Sequence, residues 1–287
     1  MIGISNDSKQ AIPSRLFFIL ITNLNPKGGN LFVKRNGFLI IFAALLLFML
    51  FTPMMGYAAY KEAAVSNGGS IKGKVSFKGP LPDDAVENIT ITKNTDVCGT
   101  GFREVVWVDV KGSALRGAFV FIDGITEGKA WTAPEGGKYL IEQKGCRFRP
   151  WAQVMRPGNI TIRNSDNGVL HNINTREMIG VESGSSVKKV IFNFGQPDPG
   201  DIEKELKPRR AHYIAMNCEA HNFMFGFMMA PEHPYAEVVG EDGSFTIKDV
   251  PPGTYTVKAW HPRFGLKEAK VTVSAKVAAD ANFEFSK

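Results

Sequence analysis

The sequence predicts an all-β fold, and three observations carry that reading. After Tyr60 the chain breaks into short runs in which apolar and polar residues alternate. Gly, Pro, Asn and Asp separate those runs, and long amphipathic helical patterns are absent. Alternation of period 2 with turn residues between marks half-buried antiparallel strands. A β-sandwich or Greek-key barrel is the architecture that hides their apolar faces.

The elements follow in chain order. Residues 1–58 stand apart from the rest. Lys34-Arg35 precede the apolar stretch Phe38 to Phe51, and Gly56-Tyr57-Ala58 supplies small residues at the ends of a cleavage site. That order is an export signal, whose apolar core forms a short helix. The core is shorter than the roughly 20 residues of a spanning helix; left uncleaved, it would anchor the chain in a membrane. Lys27-Gly28-Gly29 has the in-frame reading of a ribosome-binding site, which predicts that translation starts at Val33.

Charge follows the same division. The formal charge is +6, but residues 1–58 carry Lys9, Arg15, Lys27, Lys34 and Arg35 against Asp7 alone. The remainder is nearly balanced, with 29 basic and 27 acidic side chains. Lys188-Lys189 and Lys207-Pro-Arg209-Arg210 are its densest basic points and read as solvated loops. Nucleic-acid binding is therefore not expected.

Strand alternation begins with Ile71, Val75 and Phe77 on one face and Lys72, Lys74 and Ser76 on the other. It recurs at Ile160/Ile162, Phe245/Ile247, Tyr255/Val257, Val271/Val273 and Phe283/Phe285. Asp201 to Leu206 is the one stretch expected to make a turn or two of helix. The run Phe223-Met-Phe-Gly-Phe-Met-Met229 reads as a buried strand. A functional alternative makes part of it an apolar collar around an exposed edge of His221.

The chemistry concentrates in residues 138–230. Cys218-Glu-Ala-His221-Asn-Phe-Met224 has the form C-x-x-H-x-x-M, and His171 lies 47 residues upstream in a strand-then-loop context. Two imidazoles, one thiolate and a weak axial thioether are the donor set of a type 1 copper site. Soft sulfur holds Cu(I) and imidazole suits Cu(II), so one cage serves both states. Around these residues, Arg156-Pro-Gly158-Asn-Ile-Thr-Ile-Arg-Asn164-Ser-Asp166 to His171-Asn172, and Tyr213-Ile-Ala-Met-Asn-Cys218 to Met224, resemble the cupredoxin family, most closely its amicyanin type. The resemblance implies a Greek-key sandwich over 138–230. It implies one copper ion held by His171, Cys218, His221 and Met224, with Asn172 tying the two ligand loops together rather than touching the metal. Met216, Met228 and Met229 keep open a Cu(I)-handling reading, with Met228 as a substitute axial ligand.

The flanks, 68–130 and 233–287, carry a second resemblance. Gly69-Ser-Ile-Lys-Gly-Lys-Val-Ser-Phe77, Glu241-Asp-Gly-Ser-Phe-Thr-Ile247 and Val250-Pro-Pro-Gly-Thr-Tyr-Thr-Val257 resemble the carboxypeptidase regulatory-like, transthyretin-type β-sandwich. Asp242-Gly243 and Pro251-Pro252-Gly253 supply its tight turns. Two arrangements stay open: a copper sandwich inserted into a loop of this one, or two domains in sequence.

With Cys218 as a metal ligand, Cys98 and Cys146 are left to pair as a disulfide in an oxidising compartment. Paired H-x-H motifs are absent among the five histidines, so multicopper chemistry is not expected, and no nucleophile–base pair points to an enzyme. His212, His233 and His261 read as packing or surface residues. The expected function is a periplasmic or otherwise extracytoplasmic one-electron carrier between protein partners such as a cytochrome or an oxidoreductase complex. A copper chaperone or resistance protein, or a copper-free β-sandwich interaction module, are the alternatives.

Overall fold

The computed structural model describes residues 59–184 and 186–287, so the expected signal helix, its cleavage site and the start at Val33 lie outside the described residues. The described chain is almost wholly strand, as the alternation predicts, and its strands assemble two sandwiches.

The first sandwich is built from both flanks. Its four-stranded sheet runs Ala236–Val238, Phe119–Asp123, Gly253–His261, Gly265–Val273. The facing sheet runs Ser244–Val250, Gly69–Phe77, Ala114–Arg116, Asp109–Lys111. Ala278–Asp280 and Phe283–Phe285 also lie parallel against Gly69–Phe77. Ile71, Val75 and Phe77 point inward as their spacing predicts, and meet Phe245, Ile247, Val271, Val273 and Phe283 in one core. Gly73 is there because the chain passes too close for any side chain: a Cβ would stand 1.6 Å from the Ala281 carbonyl oxygen.

The second sandwich takes up the stretch between Gly128 and Ala236. One sheet runs Phe148–Arg149, Leu140–Gln143, Gly158–Asn164, Gly200–Leu206. The other runs Ala152–Val154, Phe225–Met229, Tyr213–Asn217, His171–Ile179, Val187–Gln196. Ile141, Ile160, Ile162 and Leu206 of the first sheet pack on Ile173, Ile214, Met216 and Met228 of the second. Gly200–Leu206 is a strand, not the turn or two of helix expected over Asp201 to Leu206. Its acids alternate, so Asp201 binds the Arg163 guanidinium across the ladder (2.7 and 2.9 Å), and Glu203 accepts from the Thr161 hydroxyl (2.7 Å). Cross-strand partners of opposite character favour the ladder over a helix.

The segment Val86–Val106 departs from the expected division. The sequence places it in the flanking sandwich, yet Ile91, Cys98 and Val105 are buried in the core of the second. A third core explains two further patterns. Phe119, Phe121, Ala236 and Trp260 of the first sandwich pack on Met178, Val181, Tyr213, Ala215 and Met229 of the second. Strands at this seam are covered on both faces, so Phe119–Ile122 and Tyr213–Met216 are continuous apolar runs rather than alternating ones.

Candidate metal centre

Three of the four expected ligands are brought together by strand ends. His171 opens its strand, and Cys218 and His221 follow directly on Tyr213–Asn217, which pairs with the His171 strand. The start of Tyr213–Asn217 is itself anchored: the buried Glu177 carboxylate accepts the N–H groups of Arg209 and Arg210 (both 2.9 Å), so this basic loop hangs from a fixed point.

The loop from Cys218 closes on itself. Met224 N–H donates to the His221 carbonyl and Cys218 N–H to the Met224 carbonyl, each at 3.0 Å, which folds Met224 back over Cys218. One ligand atom each of His171, Cys218 and His221 lies within 4.8 Å of the others, and all three residues are buried. Cys218 Sγ is 3.6 Å from His221 Nδ1. Met224 is 1% exposed and packs in the same core.

The surroundings set the direction of each donor. His171 Nε2 lies 2.8 Å from Asp166 Oδ2, and the same carboxylate accepts N–H groups from Gly145 (2.7 Å) and Cys146 (3.0 Å). Burial alone would raise the Asp166 pKa, but the Cys146 and Gly145 amides and the His171 ring outweigh it and hold the carboxyl below its usual range. Ionised Asp166 fixes the His171 proton on Nε2. His171 Nδ1 is then a buried nitrogen with no hydrogen-bond partner. A buried lone pair with no protein partner, beside a thiol and a second imidazole, is a donor set able to hold a metal ion.

Asn172 joins the two ligand segments. Its N–H donates to Cys218 Sγ (3.3 Å), its Oδ1 accepts from Glu219 N–H (3.2 Å), and its Nδ2 donates to Asn193 Oδ1 (2.8 Å). Burial raises the Cys218 thiol pKa, with the Asn172, His221 and Ala220 amides opposing it. The thiol in the metal-free fold is therefore protonated at neutral pH, and a coordinated cation would displace that proton.

His221 is placed differently from the exposed-edge reading. It is 2% exposed, and Nε2 lies 3.0 Å from Asn94 Oδ1. Burial, then the neighbouring His171 and Lys93, push its pKa down to about 4. The Phe223 ring packs against it, 5.6 Å between centroids, and the Nε2 edge is covered by Asn94 rather than exposed. Phe225–Met229 is the buried strand, and Met216, Met228 and Met229 are core side chains at 1% exposure or less.

Cys98 and Cys146 are joined as a disulfide, with 5.1 Å between their Cα atoms, next to the site. His233 and His261 are buried packing residues. Two participants escaped the sequence reading. Asp166 carried a signal, since it stands five residues before His171. Asn94 carried none, being 127 residues from the ring it meets.

Comparison with known proteins matches residues 227–284 to the β-sandwich domain of ER membrane protein complex subunit 7. That match runs from the last strand of the second sandwich through most of the C-terminal flank, and supports a β-sandwich there without the carboxypeptidase regulatory-like family. A search of curated proteins finds no match. Among solved structures, a reduced copper(I) form of an amicyanin variant is 16% identical, with a TM-score of 0.24, over 33% of this chain and 83% of that one. A purple cupredoxin from Nitrosopumilus maritimus is 16% identical at a TM-score of 0.24, over 32% of this chain and 99% of that one. The copper-containing nitrite reductase of Thermus scotoductus is 16% identical at 0.25, over 37% of this chain and 24% of that one.

Proposed function

We propose that this protein is an exported one-electron carrier that holds a single type 1 copper ion with His171, Cys218, His221 and Met224. The observation that carries the proposal is the buried convergence of Cys218, His221 and His171, whose Nδ1 has no other partner. The donor set fits copper: two imidazoles and a thiolate, with a thioether on the same short loop. Bound copper would supply a Cu(II)/Cu(I) couple.

The chain's own residues do the rest. Asp166 and Asn172 fix the donors through hydrogen bonds already made in the fold, which would keep rearrangement on electron transfer small. The apolar core excludes water from the site. Nothing in the donor set points to an enzyme, and the partners are redox proteins outside the cytoplasm, where the Cys98–Cys146 bond is at home. Among the described residues no helix is long and apolar enough to cross a membrane. The first sandwich then serves as a carboxypeptidase regulatory-like mount for the copper sandwich. Met216, Met228 and Met229 are core side chains rather than surface thioethers open to an exchanging ion, so we favour the carrier over the chaperone. A copper-free interaction module is the second reading, favoured by the match over residues 227–284 to a β-sandwich of a membrane complex subunit.

Adding Cu(II) to the purified metal-free protein separates the two. A carrier binds one ion and turns intensely blue through sulfur-to-copper charge transfer. Stoichiometric binding with no such band, or no binding at all, overturns the proposal.

A further inference from the structure

The ligand loop does not bury His221 by itself. The cover is the segment Val86–Val106, an antiparallel hairpin of Val86–Thr90 and Phe102–Val106 with a single helical turn, Thr95–Cys98, in its connection. Ile91, Cys98 and Val105 sink into the core that holds Cys218, Phe223 and Met224. Asn94 begins the turn in a left-handed conformation (φ 49°), which asparagine tolerates better than most residues. Its carbonyl takes the Val97 and Cys98 N–H groups (3.0 and 2.7 Å), leaving its side chain to reach His221 Nε2.

The turn is held from three sides. The Cys98–Cys146 bond ties it to the segment that carries the Asp166 contacts. Arg103 donates through Nη2 to the Cys98 carbonyl (2.5 Å) and through Nη1 to the Cys146 carbonyl (3.3 Å). The same guanidinium stacks 5.0 Å from the centre of the Phe223 ring. The disulfide sulfurs lie within 4.8 Å of a His221 nitrogen, so the tether and the imidazole are in one layer.

We propose that Asn94 is a positioning residue for His221, carried on a disulfide-tethered cap that closes the copper site. An amide oxygen only accepts, so it selects the His221 tautomer with the proton on Nε2 and the lone pair on Nδ1, the nitrogen facing Cys218. The cap also keeps solvent and small chelators from that face, so copper leaves only when the cap lifts. The copper-directed half of this inference rests on the function proposed above; the tautomer half does not.

The test uses the full chain with 15N-labelled histidine. In the metal-free wild type at about neutral pH, imidazole 15N–1H correlation should show His221 protonated on Nε2. Asn94→Ala should give a mixture of tautomers, and Asn94→Asp, whose side chain still accepts, should restore the wild-type pattern. A wild-type His221 protonated on Nδ1, or an Asn94→Ala spectrum identical to wild type, overturns the inference. In the copper-loaded protein, removal of copper by a chelator should be about 10- to 100-fold faster in Asn94→Ala. Removal should also be faster in the Cys98→Ser/Cys146→Ser double variant. Unchanged rates in both sink the cap. A wild type with the expected tautomer that binds no copper refutes the carrier while leaving the role of Asn94 standing.

Discussion

In the proposed copper site, Cys218 has a role no neighbour can take over. Among the described residues it is the one free thiol, and Asn172 N–H is already aimed at its sulfur. Cys218→Ala should abolish the blue band on Cu(II) addition. His171→Ala and His221→Ala should leave copper bound more weakly, with an ordinary tetragonal spectrum. Met224→Leu should keep the colour and raise the reduction potential, because the axial bond is weak. Absorption and paramagnetic-resonance spectra of the four variants check the ordering; a Met224→Leu protein without colour would place the main sulfur donor elsewhere. That Cys218, His221 and Met224 lie together was legible because a short loop confines them. His171 was legible from its strand-then-loop setting. Asn94 was not, because a single amide in a turn looks like any other until the fold sets it on His221.

At the scale of elements, closure is done by short connections with little tolerance. The Cys98–Cys146 bond spans 48 residues of chain. A loop of that length predicts about 4 kcal/mol from restricting the unfolded chain, with 2–4 kcal/mol typical of measured bridges. Urea denaturation of the copper-free Cys98→Ser/Cys146→Ser protein should show a loss of that order. Thiol titration of denatured wild type should find one reactive cysteine; three would refute the bridge. Gly73 is a second such point. Gly73→Ala drives a methyl into the Ala281 carbonyl, pushing the final strands off Gly69–Phe77, and should cost about 3 kcal/mol or more. Gly240→Ala, whose nearest contact is 3.4 Å, is the near-neutral control. Strand identity was readable from alternation at Ile71 to Phe77. Gly200–Leu206 misled because its charges suit a helix surface as well as a ladder, and only its pairing with Gly158–Asn164 separates them.

The shared core at the seam makes Tyr60 to Lys287 one expected cooperative unit. Phe119, Phe121 and Trp260 cannot be separated from Tyr213 and Met229 without exposing a core. Calorimetry of the metal-free protein should therefore show a single transition, with equal calorimetric and van't Hoff enthalpies; two resolved transitions would mean the seam contributes little. Acid should destabilise this unit through buried imidazoles. Burial pushes His261 down to about 3 and His233 down to about 4. Both stay neutral in the fold while the unfolded chain takes up protons near pH 6.5, so stability is level above that value. It then falls as pH drops from about 6.5 towards 4, approaching about 1.4 kcal/mol per pH unit for each imidazole. Urea midpoints between pH 7.5 and 5 check this, since most carboxylates have not titrated there. His261→Phe should flatten the slope, and an unchanged slope would show that this ring is not the group responsible.

The sequence alone determined the fold class and offered the candidate donor residues, because both signals are local. Alternation with period 2 needs only neighbouring residues, and C-x-x-H-x-x-M is a seven-residue loop. What belongs to which sandwich was not local. Val86–Val106 reads as a hairpin like its neighbours, and only burial of Ile91, Cys98 and Val105 beside Met224 assigns it to the second sandwich. Exposure of His221 was equally undecidable from its own segment, because its cover comes from Asn94, far along the chain. Burial is a property of what packs against a residue, and here that partner is fixed by tertiary contacts alone.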